Sequence, residues 1–304
     1  MSWDPRHLPS AAGRTVIVTG GNAGIGYFTA EQLASAGARV ILASRSAEKA
    51  ERAIASIGER VAEARLSFVP LDLSSLSSVA AAAGKLRALG PIDVLINNAG
   101  LVSPPARRAT TEDGHEIVVG SNFFGHFALT AQLWSAMTPT ARVVGLGSMA
   151  TRMVRLDPAD LLSDRRYRPF RAYGFSKHAV HGFAFELDRR IREAGEHRLS
   201  LLAHPGFSVD GLSERRPGIN DISRAERIRD GVLSLAAQGK HQGAWPAIRA
   251  ALDPEAVSGQ FYGPSRILTG PPIVMAPVVS STTPEFGAHL WALAEERTGV
   301  TFAV

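Results

Sequence analysis

Tyr173 and Lys177 stand four residues apart in a segment of helical apolar spacing, so a helix there puts both side chains on one face. An ammonium beside a phenol favours the phenolate and predicts a tyrosine pKa drawn down toward neutrality. A phenol so tuned can give a proton to a carbonyl oxygen, or take one from an alcohol, at working pH. His178 and His181, on the same stretch, have the i, i+3 spacing of a metal pair. No third ligand follows at a matching distance, so the expectation is no metal and a packing role for both.

A second constellation lies near the start of the chain. Thr19-Gly20-Gly21-Asn22-Ala23-Gly24-Ile25-Gly26 follows a short β-branched apolar run and opens a helical segment over 27–36. Glycines at 20, 24 and 26 allow a tight turn, close approach of a pyrophosphate and close packing of helix on strand. The helix start then offers unpaired N–H groups and a positive dipole end to phosphate. This is the pattern of a dinucleotide site. The second apolar run ends in Ala43-Ser44-Arg45, where such a fold meets the adenosine ribose. A carboxylate there would bind the free 2′-hydroxyl of NAD, whereas an arginine suits the 2′-phosphate of NADP. With no acid before Glu48, Ser44 and Arg45 favour NADP(H) over NAD(H).

Elements must hold these residues in place. Short apolar runs at 15–19, 39–43, 66–71, 93–96, 142–146 and 199–203 alternate with amphipathic segments that begin near 24, 46, 75, 111 and 170. Strands apolar on both faces and alternating with helices predict a parallel sheet covered on both sides. A shorter strand at 259–262 and a helix at 284–298 follow. The expected architecture is α/β: a single doubly wound Rossmann domain over 1–304, with a mostly parallel seven-stranded sheet and helices on both faces. Residues 207–258 read as an insertion before the last strand.

Composition narrows the function. The chain has 304 residues, 45% hydrophobic and 20% charged, enough for a large core and unlike a disordered chain. It contains no cysteine, which excludes disulfides, zinc–thiolate sites and cysteine nucleophiles. The net charge of +5 comes mostly from arginines scattered among acids, which argues against nucleic acid as a partner. No apolar run is long enough to span a bilayer, and residues 1–14 do not read as a leader. A cytoplasmic protein without membrane or nucleic-acid partners is expected.

The spacing Thr19-Gly20-x-x-x-Gly24-Ile25-Gly26, with Asn97-Asn98-Ala99-Gly100 and Tyr173-Gly174-Phe175-Ser176-Lys177, resembles the short-chain dehydrogenase/reductase family. Asn122-Phe123-Phe124-Gly125-His126-Phe127 and His204-Pro205-Gly206 are similar to its retinol-dehydrogenase-like and protochlorophyllide-reductase-like branch. The resemblance implies a catalytic set of Asn122, Ser148, Tyr173 and Lys177. Tyr173 would be the acid/base and Ser148 would polarise the substrate oxygen. Lys177 would also hold the nicotinamide ribose, and Asn122, within a helix expected over 111–137, would bind a relay water. The implied cofactor contacts are Gly20, Asn22, Gly24, Ile25, Gly26, Ser44, Arg45, Asp72, Leu73, Asn98, Ala99, Gly100, Tyr173, Lys177, Pro205, Gly206 and Ser208. Asp72 would meet the adenine amino group or, alternatively, cap the following helix. Five residues beyond Pro205 the family carries a threonine that bonds the nicotinamide carboxamide. Here Asp210 stands there, and a carboxylate can accept but not donate.

The expected activity is an NADP(H)-dependent interconversion of a carbonyl (ketone or aldehyde) and an alcohol, with a small molecule as substrate. The alternative is a non-catalytic NADP(H)-binding regulator on the same fold. Within 207–258, polar breakers alternate with the apolar residues Phe207, Leu212, Trp245, Ile248 and Leu252, which suggests a lid for a bulky apolar substrate. A homo-oligomer (dimer or tetramer), pairing the helices that begin near 111 and 170, is the family's usual assembly.

Overall fold

The computed structural model describes residues 3–304. The first third alternates strictly: β1 (Thr15–Thr19), α1 (Gly24–Ser35), β2 (Arg39–Ser44), α2 (Ala47–Gly58), β3 (Arg65–Pro70), α3 (Leu76–Ala88) and β4 (Ile92–Asn97). Next come the short α4 (Ile117–Val119), then α5 (Gly125–Leu133), β5 (Met137–Leu146), the short α6 (Ala150–Met153), the long α7 (Pro169–Glu193) and β6 (Leu199–Ala203). The remainder holds β7 (Ser208–Val209), α8 (Arg224–Val232), β8 (Gln238–Gly239), α9 (Lys240–Gly243), α10 (Trp245–Leu252), β9 (Phe261–Pro264), β10 (Pro272–Met275) and α11 (Pro284–Thr298).

The main sheet runs β10-β9-β6-β5-β4-β1-β2-β3, and β7 and β8 form a separate two-stranded pair. Every pairing in the main sheet is parallel except β9 with β10. Strand order reverses between β1 and β4, the switch point where such sheets bind ligands. Alternation along β1 divides its side chains between two cores. Val16 and Val18 pack with Tyr27, Phe28 and Ile248 on one face, and Ile17 lies with Val79, Phe127, Phe175 and Trp291 on the other.

Three expectations need correction. Among the described residues the main sheet has eight strands rather than seven. β10 returns antiparallel along β9, and its Ile273 and Val274 are exposed, so the run lacks the two-sided burial that marks the inner strands. The helix expected over 111–137 is broken. A bridge joins Thr110 to Glu116, whose buried carboxylate caps α4 by accepting from the Val118 and Val119 N–H groups. A π-helical turn then covers Gly120–Phe124, and the chain is already in β5 by Met137. Finally, part of 207–258 is core. Ile248 and Leu252 of α10 are fully buried against the sheet, whereas Phe207 and the apolar residues of α8 face outward.

Candidate active site

The carboxyl ends of the parallel strands β1 to β6 lie along one edge of the sheet. The expected residues follow those ends or, like Asn122, Tyr173 and Lys177, stand on the helical segments between them. Gly20 and Gly24 have positive φ, 67° and 57°, which any side chain would strain. A methyl on Gly26 would fall 2.3 Å from the Gly20 carbonyl oxygen, so that glycine is what lets α1 start against the turn. Asn98 does not face outward: its Nδ2 donates to the Thr19 carbonyl at 2.7 Å, and the Ala99 N–H donates to Thr19 Oγ1 at 2.9 Å. These bonds fasten the end of β4 to the start of the glycine turn. Asn97 Nδ2 donates to Thr130 Oγ1, steadying the sheet against α5.

At the end of β2, Ser44 is buried and its hydroxyl has no partner among the described residues, while Arg45 beside it is exposed. Asp72 is not the helix cap. Ser75 caps α3, and Asp72 Oδ1 accepts from both the N–H and the hydroxyl of Ser74. The glycine cradle and the orphaned Ser44 hydroxyl both fit a nucleotide lying across this edge. The turn and the first N–H groups of α1 would hold its pyrophosphate.

Ser148 follows β5 and its hydroxyl lies against the phenol of Tyr173 on α7. Position 147 is glycine for a visible reason: a methyl there would sit 2.4 Å from His181 Nε2. Lys177, a turn beyond Tyr173, is buried and donates to the Leu146 carbonyl at 2.7 Å. The electrostatics correct the expectation for the phenol. Burial pushes the Tyr173 pKa up, only partly countered by Ser148, and burial pushes Lys177 down to about 8. The ammonium points at a carbonyl and lies 5.7 Å from the centre of the tyrosine ring, not at its oxygen.

Asn122 sits in the π-helical turn, an irregularity frequent at functional sites. Its Oδ1 accepts from the Leu101 N–H at 2.7 Å, and its Nδ2 donates to Ser176 Oγ at 3.0 Å. Gly100 is pinned between them: a methyl there would lie 3.3 Å from Asn122 Oδ1 and 3.7 Å from Lys177 Nζ. A small cavity of about 10 Å³ opens behind this group, lined by Asn97, Asn122, His126, Leu146 and Lys177 among others.

His126 carries no role in the sequence reading, although it stands one helical turn after Asn122. It is buried, with Nδ1 against the Asn122 carbonyl at 3.0 Å and Nε2 against Thr19 Oγ1 at 2.9 Å. It thereby joins the π turn to the glycine turn, and burial holds its pKa down at about 4, so the ring is neutral. His178 is engaged by the Ser281 hydroxyl and the Val154 carbonyl, a packing role. Beyond the Pro205-Gly206 turn, Ser208 Oγ bonds the Pro205 carbonyl, and Asp210 is ion-paired with Lys240. The sequence offered no sign of that pairing, since Lys240 is an isolated lysine thirty positions away.

This is the site of a dinucleotide-dependent α/β oxidoreductase, and comparison with known proteins agrees. A family model described as short chain dehydrogenase matches residues 14–207. The chain is 38% identical over 266 residues to polyprenol dehydrogenase of Mus musculus, covering 84% of this chain and 77% of that protein. It is 34% identical over 294 residues to retinol dehydrogenase 13 of Homo sapiens, covering 95% and 85%. A crystal structure of an uncharacterised protein from Mycobacterium paratuberculosis superposes with a TM-score of 0.81 at 34% identity, covering all of both chains. The NADP complex of RhlG from Pseudomonas aeruginosa gives 0.60 at 27%, covering 84% of this chain and 95% of that one. The chain belongs to the short-chain dehydrogenase/reductase family. Within that family it falls in the retinol-dehydrogenase-like branch, whose named members act on alcohols. No described helix is long and apolar enough to cross a membrane.

Proposed function

We propose that the protein is an NADP(H)-dependent oxidoreductase that interconverts a bulky apolar alcohol and its aldehyde or ketone. The observation that carries this reading is the meeting of Ser148, Tyr173 and Lys177 beside the glycine turn. When bound, the nicotinamide supplies or accepts the hydride and, in its oxidised form, adds positive charge near the phenol. Tyr173 Oη gives its proton to the substrate oxygen in reduction and takes one in oxidation. The Ser148 hydroxyl donates to the same oxygen and stabilises charge growing there. Lys177 keeps its ammonium 5.7 Å from the centre of the Tyr173 ring, and the cavity between Lys177, Asn97 and Asn122 has room for about one water. Asn97 Oδ1, a buried acceptor, gives such a water a partner, and the water would let Lys177 restore the proton of Tyr173.

Arg45, free of hydrogen bonds and ion pairs among the described residues and next to the orphaned Ser44 hydroxyl, supports NADP(H) as the cofactor. Val102, Met153, Phe170 and Phe207, each close in sequence to a site residue, are exposed apolar side chains, Met153 to 73%. They suit a large apolar substrate, as do the names of the relatives, and the outward-facing α8 part of 207–258 then acts as the lid.

Two experiments test the reading. Tyr173→Phe is expected to lower kcat for retinal-like or prenyl aldehydes at least a thousandfold while leaving NADPH affinity within about twofold. Retention of most of the wild-type kcat would refute the mechanism. Arg45→Asp is expected to invert the preference between NADP and NAD in a binding titration. Equal wild-type affinities for the two would refute the cofactor assignment.

A further inference from the structure

We propose that Lys240 is a ligand for the cofactor pyrophosphate, held in place by Asp210 until the nucleotide arrives. The inference rests on the reading that the glycine turn binds a dinucleotide, and it explains why an aspartate stands where the family carries threonine. β7 pairs in parallel with β8, Ser208 beside Gln238 and Val209 beside Gly239, so the next residues on the two strands, Asp210 and Lys240, emerge side by side. Their side chains form an ion pair, and both keep contact with solvent, 31% and 23% exposed.

The ammonium also overhangs the phosphate turn. A methyl on Gly24 would lie 3.7 Å from Lys240 Nζ and 3.9 Å from its Cδ. Its backbone is fixed independently of the ion pair. The Lys240 N–H donates to Ser213 Oγ at 2.8 Å, and the next residue's carbonyl accepts from Gln32 of α1 at 3.0 Å. The His241 ring packs edge-on to Phe28, also of α1. Lys240 is therefore tied to the very helix whose N-terminus opens at Gly24.

A partly exposed ion pair contributes little stability, so exchanging one carboxylate for a pyrophosphate costs little. A lysine ammonium at short range is a strong point-charge partner for phosphate. Asp210 also cancels the positive charge of Lys240 in the free protein, and Lys240 cancels the carboxylate that would otherwise face the anionic nucleotide.

The test measures Kd for 2′-phospho-ADP-ribose by calorimetry, because that ligand has the pyrophosphate and the 2′-phosphate but no nicotinamide for Asp210 to contact. Lys240→Met is expected to weaken binding about tenfold or more, and Asp210→Asn to tighten it several-fold. The double variant, which removes both charges, is expected to stay several-fold weaker than wild type. Melting temperatures close to wild type in all three would show that they fold. Wild-type affinity in the double variant would overturn the proposal, since Lys240 would then only neutralise Asp210. An unchanged Kd in Lys240→Met would overturn it as well. Failure of the wild type itself to bind 2′-phospho-ADP-ribose would refute the dinucleotide reading together with this one.

Discussion

Lys177 keeps a buried ammonium on a hydrogen bond to one carbonyl, and the free protein must respond to pH because of it. Its proton leaves near pH 8 in the folded chain, below the 10.5 of an ordinary lysine. Between those values the unfolded chain binds more protons, so stability rises with pH across that window, by roughly 3 kcal/mol at most. Urea unfolding of the cofactor-free protein at pH 7.5 and 9.5 should show the rise, and Lys177→Met should remove it. On the acid side, His126 and His204 are held down at about 4 by burial. Each must stay neutral in the fold while the unfolded chain protonates near 6.5, so stability falls as pH drops from about 6.5 toward 4. At this scale the sequence displayed the identity of the chemistry but not its tuning. Tyr-x-x-x-Lys spacing is a local pattern, whereas the raised phenol pKa comes from burial, only partly countered by Ser148, and only the packed structure fixes that burial.

Helix α1 is the element on which both the nucleotide and the inserted segment depend. Its Glu31 accepts a paired contact from Arg216, 2.7 and 2.9 Å, and a third bond from Tyr27 Oη. Both charges are largely buried, so Arg216→Ala leaves an uncompensated carboxylate and should cost about 3 kcal/mol in denaturant unfolding. Arg216→Met combined with Glu31→Gln should recover much of that loss. At the start of the same helix, Gly26→Ala would push a methyl into the Gly20 carbonyl and should weaken NADPH binding more than tenfold in a fluorescence titration. The glycine turn, β1 to β6 and α11 were legible because their signals are local and repeated: β-branched runs, helical spacing and breakers between them. The break after Thr111 was not. It is decided by a buried Glu116 that caps α4 and by a Gly120 packed where a side chain would meet Thr111.

Across the whole molecule, α11 changes what the outer face of the α5–α7 layer can do. Trp291 packs edge-on to Phe127, Phe302 stacks on Trp291 at 4.8 Å, and the Arg190 guanidinium lies 4.1 Å over the Trp291 ring. Gly182 on α7 lets Phe286 approach closely. α11 thus packs on part of α7 and α5, the helices whose pairing the family resemblance implies for a homo-oligomer. Light scattering after size exclusion should accordingly give the 32.3 kDa of a single chain. Trp291→Ala should cost on the order of 3–5 kcal/mol of stability and leave Kd for NADPH unchanged. A dimeric mass would show that pairing uses another surface.

The same helix sets the order of events during synthesis. Phe127 and Phe183 leave the ribosome long before Phe286, Trp291 and Phe302, the rings that complete their cluster. Until those last residues emerge, the nascent chain holds an aromatic surface with no cover, a surface of the kind that chaperones bind and that aggregates when left alone. Closing so distant a contact is also slow. This half of the core therefore closes only once residues 286–302 have left the ribosome, and a ribosome stalled before residue 284 should carry a chain whose nucleotide turn is assembled while its opposite face remains protease-sensitive.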